Sequence, residues 1–204
     1  GALQGAIGWI MVASGLTGDA IYVKPAKLAM HFVLALGLLA YAFWFALELL
    51  VPKEKIVFNT KINKLTIGIL AVLLVQLVYG AFMAGHKAAT AAPTWPDING
   101  SIIPPNMFGK EGGLLDLIDN RITIHFIHRG LAYILLALVF WQASQLAKLK
   151  SAPALQNGRW LPAFLISIQL ALGILSVLSS TSIIPNKWGL FEWMAQLHQL
   201  VAMG

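Results

Sequence analysis

The sequence predicts an all-α fold in the form of a polytopic membrane helix bundle. Two observations support this prediction. Of the 204 residues, 58% are hydrophobic and only 11% are charged, whereas about a quarter of the residues in a typical soluble domain are charged. The apolar residues also gather into long segments near the roughly 20 residues that a bilayer span needs. Because lipid offers the backbone no hydrogen-bond partner, such segments must be helical.

Six apolar segments can be followed along the chain. They cover residues 2–16, 26–51, 65–85, 122–147, 161–184 and 190–204. The chain opens at Gly1 directly into the first segment and stops at Gly204 inside the last one. We therefore expect a fragment of a longer protein, with six helices visible and both terminal helices cut short.

The charges of the loops predict the orientation in the membrane. Loop 52–64 carries four lysines and one glutamate, loop 148–160 carries three basic residues and no acid, and loop 86–121 holds four acids. The positive-inside rule places the first two loops in the cytoplasm or matrix. The net charge of +6 then reflects topology rather than nucleic-acid binding. The chain has no cysteine, which excludes disulfides and thiolate metal sites within it.

Loop 86–121 is longer than a helical hairpin requires, and long loops are usually functional or disordered. It contains Trp95 and the apolar pair Ile102 and Ile103 among several prolines and glycines. We expect these apolar side chains to pack the loop on the outer surface as a lid. A flexible linker is the alternative.

An internal repeat links the apolar segments in pairs. The outward-running helices share the pattern Q-x-x-x-G, and the inward-running helix that follows each of them carries a histidine. The three units are Gln4–Gly8 with His31, Gln76–Gly80 with His128, and Gln169–Gly173 with His198. The repeat predicts three helical hairpins with their histidines at similar depth on the same side of the membrane.

Histidines inside a membrane bundle are candidate ligands for iron, copper or zinc. Haem iron takes one axial ligand on each side, and His128 and His198 from consecutive hairpins fit such a pair. His31 is then left without a partner, which predicts a further histidine upstream of Gly1. Ordinary interhelical hydrogen bonds are the alternative for the histidines.

The residues that follow His128 suit a haem as well. Gly130 would let a planar macrocycle approach the backbone, and Arg129 or Arg121 could neutralise its propionates. For Arg129 the alternative is a side chain that reaches out to the membrane interface.

Four motifs together resemble the haem A synthase family over the whole chain. They are G-A-x-Q-G-x-x-G-W-x-M-V-x-S-G-L at 1–16, T-W-P at 94–96, N-R-x-T-x-x-F-x-H-R at 120–129 and H-Q at 198–199. The resemblance implies an eight-helix bundle of two pseudo-symmetric four-helix halves in a bacterial plasma membrane or mitochondrial inner membrane. It also implies oxidation of the C8 methyl of haem O to the formyl group of haem A, for cytochrome oxidase biogenesis.

The resemblance assigns roles along the chain. Residues 1–51 correspond to the second hairpin of the substrate-haem half, residues 52–64 to a cytoplasmic loop, and residues 65–204 to the haem B half with outer loop 86–121. His31 would hold the substrate haem, while His128 and His198 would hold haem B. The remaining catalytic residues, a histidine and a glutamate, are expected upstream of Gly1. Haem O synthase and an electron donor are the implied partners.

Two positions depart from the family pattern. The family usually has glutamine where this chain has His125, and an apolar residue where it has His86. We interpret His86 as a loop histidine and His125 as a residue that supports or replaces a ligand. Two other functions remain open: a non-catalytic di-haem b-type cytochrome that passes electrons, and a transporter whose histidines line a proton path.

Overall fold

The computed structural model describes residues 1–16, 20–53, 56–105, 107, 113–149 and 152–203. This part of the chain is helical, and its only ladder contact is an isolated bridge between Ile98 and Ser101. The helices are α1 (Ala2–Ala13), α2 (Pro25–Leu50), α3 (Thr60–Gly85), α4 (Asp116–Asp119), α5 (Arg121–Leu146), α6 (Pro153–Gly158), α7 (Leu161–Ser179) and α8 (Leu190–Val201). Two 3₁₀ turns lie at Ala88–Ala91 and Ser180–Ser182. The predicted all-α fold is confirmed.

Four helical stretches are long and apolar enough to cross a membrane. They are Pro25–Leu50, Thr60–Gly85, Arg121–Leu146 and Pro153–Ser182. Helix α1 is apolar, but α1 and α8 have 12 residues each, fewer than the roughly 20 needed for a span. Many large apolar side chains of the long helices are exposed, as lipid-facing residues would be. The chain is a multi-pass integral membrane protein.

Capping residues set where the helices begin. The side-chain oxygen of Asn59 accepts from the backbone N–H groups of Lys61 and Ile62, both at 3.1 Å. An asparagine N-cap satisfies donors that the first turn leaves free, so α3 begins at Thr60 rather than at the predicted Leu65. Lys61 and Lys64 therefore lie on α3 and not in a loop. Asn120 caps α5 in the same way.

Helix α7 ends earlier than the apolar pattern predicted. The segment was expected to reach residue 184, but α7 stops at Ser179 and continues only as the 3₁₀ turn. The hydroxyls of Ser179 and Ser180 donate to the carbonyls of Leu175 and Val177, at 2.7 and 2.6 Å. Serine side chains that bond to nearby backbone in this way compete with regular helix hydrogen bonds.

The helices pack as three hairpins in a row. Helix α1 packs on α2, α3 on α5 and α7 on α8, while α2–α3 and α5–α7 contacts join the hairpins. Ala29, Ala81, Phe82 and Ile124 form one buried cluster. It lies at the end of the bundle where residues 86–120 connect α3 to α5, hereafter the loop end. A second buried cluster of Ile69, Leu135, Val139 and Ala163 lies farther from the loop end.

Candidate functional site

His128 on α5 and His198 on α8 lie opposite each other in the bundle. Their ring centroids are 6.4 Å apart and their planes make an angle of 79°. Two imidazoles that bind one metal ion from opposite sides have centroids about 6.2 Å apart, because each metal–nitrogen bond is about 2.0 Å and each nitrogen lies about 1.1 Å from its centroid. The separation of this pair is close to that value.

Each of the three predicted histidines is held by the glutamine of its own hairpin. The glutamine amide nitrogen lies 3.2 to 3.5 Å from a ring nitrogen in all three units: Gln4 with His31, Gln76 with His128, and Gln169 with His198. The glutamine and the glycine four residues later share one helix face. The repeat is thus a socket for a histidine ring, a role that its spacing alone did not reveal.

The glycine of each socket makes room for the ring. A Cβ atom added at Gly8 or Gly173 would lie 2.9 Å from Cε1 of His31 or His198, and one at Gly80 would lie 3.4 Å from Cε1 of His128. The first two distances are shorter than a side chain tolerates. Glycine at these positions therefore lets the imidazole lie directly against the neighbouring helix.

The ring of His198 is oriented by a backbone carbonyl. Its Nδ1 atom lies 3.0 Å from the carbonyl oxygen of Gln169. That hydrogen bond requires the proton on Nδ1, so the lone pair of Nε2 faces the Gln169 amide nitrogen at 3.5 Å, and a bound metal would replace that long contact. The side-chain oxygens of Gln4, Gln76 and Gln169 are buried without a hydrogen-bond partner in the described part of the chain. The sockets therefore contain polar atoms that a bound group could satisfy.

His31 lies level with the pair but in a different hairpin. Ala29 and Phe32, on either side of it, pack in the cluster that contains Ala81 and Phe82, which follow Gly80. Its ring contacts Gln4, whose amide also donates to the His31 carbonyl at 3.0 Å. The structure thus brings His128 and His198 together and holds His31 in the α1–α2 hairpin.

The segment that follows α3 is folded against the helices. Ala88, Ala92 and Ile98 are buried. The indole N–H of Trp95 donates to the Tyr133 hydroxyl on α5 at 2.9 Å. The expected packing of the loop is therefore found for residues 88–98. It is wrong for Ile102 and Ile103, which are 83% and 69% exposed, whereas Pro104 directly after them is buried.

Two arginines of α5 fasten this segment. Arg129 donates to the carbonyls of Asp97, Thr94 and Ala92, at 2.7, 2.6 and 3.2 Å. Arg121 donates to the Lys87 carbonyl at 2.5 Å and to the Thr90 hydroxyl at 2.7 Å. Both side chains were predicted to neutralise propionates, and that role stays a prediction; their hydrogen bonds in this structure go to the loop.

Asp97 closes the turn to which Arg129 donates. Its Oδ1 atom accepts from the Thr94 hydroxyl at 2.7 Å and from the Gly100 N–H at 2.8 Å. The Thr94 hydroxyl first, and then the Gly100 N–H, hold the pKa of this carboxyl below its usual value of 3.8. Asp97 is therefore ionised at neutral pH, which favours the closed turn.

Comparison with known proteins decides the family. The family model described as Cytochrome oxidase assembly protein matches residues 1–204. The chain belongs to this family. No solved structure matches the chain.

Curated relatives in the family carry one name. A Heme A synthase of Rhodopseudomonas palustris is 40% identical over 185 residues, which are 90% of this chain and 50% of the relative. Heme A synthases of a Bradyrhizobium species and of Sinorhizobium medicae are each 35% identical, over 205 and 210 residues; both alignments cover 100% of this chain and 54% of the relative. The chain spans about half the length of the curated relatives it matches.

The remaining predicted residues take distinct places. His86 caps the end of α3, and its Nε2 atom lies 2.8 Å from the Ile118 carbonyl, as expected for a loop histidine. A Cβ added at Gly130 would meet no atom within 4 Å, so the space at Gly130 is open, although residues two apart on a helix do not share a face with each other. His125 is completely buried.

The residues present fit a haem better than a metal ion bound by side chains alone. Among the described residues, no group of three or more histidines and carboxylates could hold an ion. The pair of imidazoles at 6.4 Å instead suits a macrocycle that supplies the other ligands itself.

Proposed function

We propose that this chain is the haem-binding part of a haem A synthase, which oxidises the C8 methyl of haem O to the formyl group of haem A for cytochrome oxidase. One observation carries the proposal: the ring centroids of His128 and His198 lie 6.4 Å apart in a chain whose relatives are named Heme A synthase. The pair supports a haem site, and the relatives favour the synthase over a cytochrome that only passes electrons.

The proposal divides the chain into two halves. Within residues 65–204, His128 and His198 would hold haem B, and Gly130 would leave room for the ring. Within residues 1–51, His31 holds the substrate haem O. When bound, haem supplies the redox chemistry at its iron, and the protein supplies binding, orientation and electrostatics.

The described residues account for that orientation. The Gln169 carbonyl holds the His198 ring through Nδ1, and the three socket glycines let the rings lie against their helices. Arg129 and Arg121 keep the 87–97 segment against α5, where it shields the loop end of the site from water. Their charges also favour the carboxylates of a bound haem at that end.

The proposal also places the site in its membrane. Loop 86–121 faces the periplasm or intermembrane space, since the basic loops favour the opposite side. The membrane is the bacterial plasma membrane or its mitochondrial counterpart. Haem O synthase would supply the substrate, and a separate donor would exchange electrons with haem B.

Single alanine substitutions at His128, His198 and His31 in the full-length protein test this assignment. Haem B content is measured from the pyridine haemochrome spectrum, and haem A by mass analysis of extracted haem. We expect His128→Ala and His198→Ala to lose haem B. We expect His31→Ala to keep most haem B and to lose haem A formation.

His86→Ala is the matched control, because His86 bonds to the loop and not to the pair. It should retain both haem B and haem A formation. Full retention of a six-coordinate low-spin spectrum in both His128→Ala and His198→Ala would refute the pair. Wild-type protein that binds haem but never yields haem A would favour the di-haem cytochrome.

A further inference from the structure

His125 is the feature of the site that the proposed function leaves unexplained. Its ring is completely buried, and neither Nδ1 nor Nε2 has a hydrogen-bond partner in the described part of the chain. Buried polar side chains are almost always hydrogen-bonded. A buried imidazole with two unpaired nitrogens therefore indicates a partner that is not one of the described residues.

The position of His125 says where that partner lies. His125 precedes His128 by three residues on α5, so the two rings lie on nearly the same helix face. Because α5 begins at Arg121, His125 is one turn nearer to the loop end than His128. A group held between His128 and His198 would have His125 on its loop side, and contact would need the side chains that enclose the His125 ring to shift.

The surroundings of His125 favour an anionic partner. Arg129 follows His125 by four residues and is its neighbour on the helix. The three hydrogen bonds that the structure gives Arg129 all go to backbone carbonyls, while the carboxylate of Asp97 is engaged by Thr94 and Gly100. The guanidinium is thus hydrogen-bonded to carbonyl dipoles, with the Asp97 charge also near it, and it would attract a further carboxylate near His125.

We propose that His125 donates a hydrogen bond to a carboxylate of the haem held between His128 and His198. The inference rests on the proposed function. An axial role for His125 is disfavoured, because His128 occupies the same face of α5 and His198 supplies the opposite ligand. Arg121 is a weaker candidate for this carboxylate, since it is exposed and bonds to Lys87 and Thr90.

The test compares two substitutions in the full-length protein. His125→Leu removes the donor and leaves no unpaired polar atom, whereas His125→Gln keeps an N–H donor. The readouts are the rate of haem transfer to excess apomyoglobin, the midpoint potential of haem B and its spin state. We expect His125→Leu to release haem roughly tenfold faster, as for the loss of one hydrogen bond to a charged group. The potential should fall, because the carboxylate charge is less compensated, and the low-spin spectrum should persist.

Controls separate this inference from the proposed function. His125→Gln should retain the wild-type release rate, and His86→Leu should match the wild type in all three readouts. His125→Met replaces the leucine variant if that protein is not produced. An unchanged release rate and potential in His125→Leu would refute the hydrogen bond, and a high-spin spectrum would make His125 an axial ligand instead. Wild-type protein without low-spin haem would overturn the proposed function and this inference together.

Discussion

Each of the three histidine sockets contains one glycine, so the effect of a glycine-to-alanine substitution can be compared between similar sites. Alanine in place of glycine stabilises a helix by about 1 kcal/mol where nothing opposes it. At Gly173 the new Cβ would lie 2.9 Å from Cε1 and 3.3 Å from Nδ1 of His198. At Gly80 the nearest atom would be Cε1 of His128, at 3.4 Å. We therefore expect Gly173→Ala and Gly80→Ala to differ in effect.

The difference should appear in haem retention. In the free protein the His198 ring can move away from the new methyl, at the expense of its bond to the Gln169 carbonyl. A ring bound to iron cannot move in this way, so the overpacking cost of about 1–3 kcal/mol falls on the bound state. Since 1.4 kcal/mol is a factor of ten, Gly173→Ala should retain haem B roughly tenfold less tightly. Gly80→Ala should stay near the wild type.

Haem release to apomyoglobin, measured in the full-length protein, checks this expectation. Gly68→Ala on α3 is the control, because a Cβ there meets no atom within 4 Å. The same reasoning applies to Gly8→Ala in the His31 socket, which should spare haem B and reduce haem A formation. Equal haem release from Gly173→Ala, Gly80→Ala and Gly68→Ala would show that the sockets do not hold the ligands.

Two further predictions concern the membrane orientation and the loop. In a cysteine-free background, Ile102→Cys should react with a membrane-impermeant thiol reagent in whole cells and Asn157→Cys should not; the reverse pattern would invert the proposed topology. The folded-state pKa of Asp97 is depressed, so its contribution to loop stability is complete at neutral pH and is lost only as the pH falls below about 3.8. Asp97→Asn should therefore speed hydrogen exchange of the backbone amides of residues 94–101 at pH 7. Thr90→Ala is the control for a loss of order in the whole segment. Unchanged exchange in Asp97→Asn would show that the carboxylate does not hold the turn.

The sequence predicted the fold well because long runs of apolar residues are enough to identify membrane helices. All six apolar segments contain a helix, and most ends fall within a few residues of the prediction. The exceptions have local causes, since Asn59 starts α3 early and serine hydroxyls end α7 early. Both are side-chain hydrogen bonds to the backbone, which a count of apolar residues does not register.

The sequence also indicated the histidines but not how they are held. The regular spacing of Gln, Gly and His could be read directly, because residues four apart lie on one helix face. That the glutamine and glycine form a socket for the ring became visible only when two helices were packed together. The same holds for the distance between His128 and His198, which are 70 residues apart in the chain.

By itself the sequence determined the membrane class, the hairpin repeat and the identity of the candidate ligands, because each depends on residue type and local spacing. Only the tertiary structure decided which side chains meet. It assigned the contacts of Arg129 and Arg121 to the loop carbonyls, left Ile102 and Ile103 exposed, and buried His125 without a partner. Such outcomes depend on how distant segments compete for the same space and the same hydrogen bonds, which no local pattern contains.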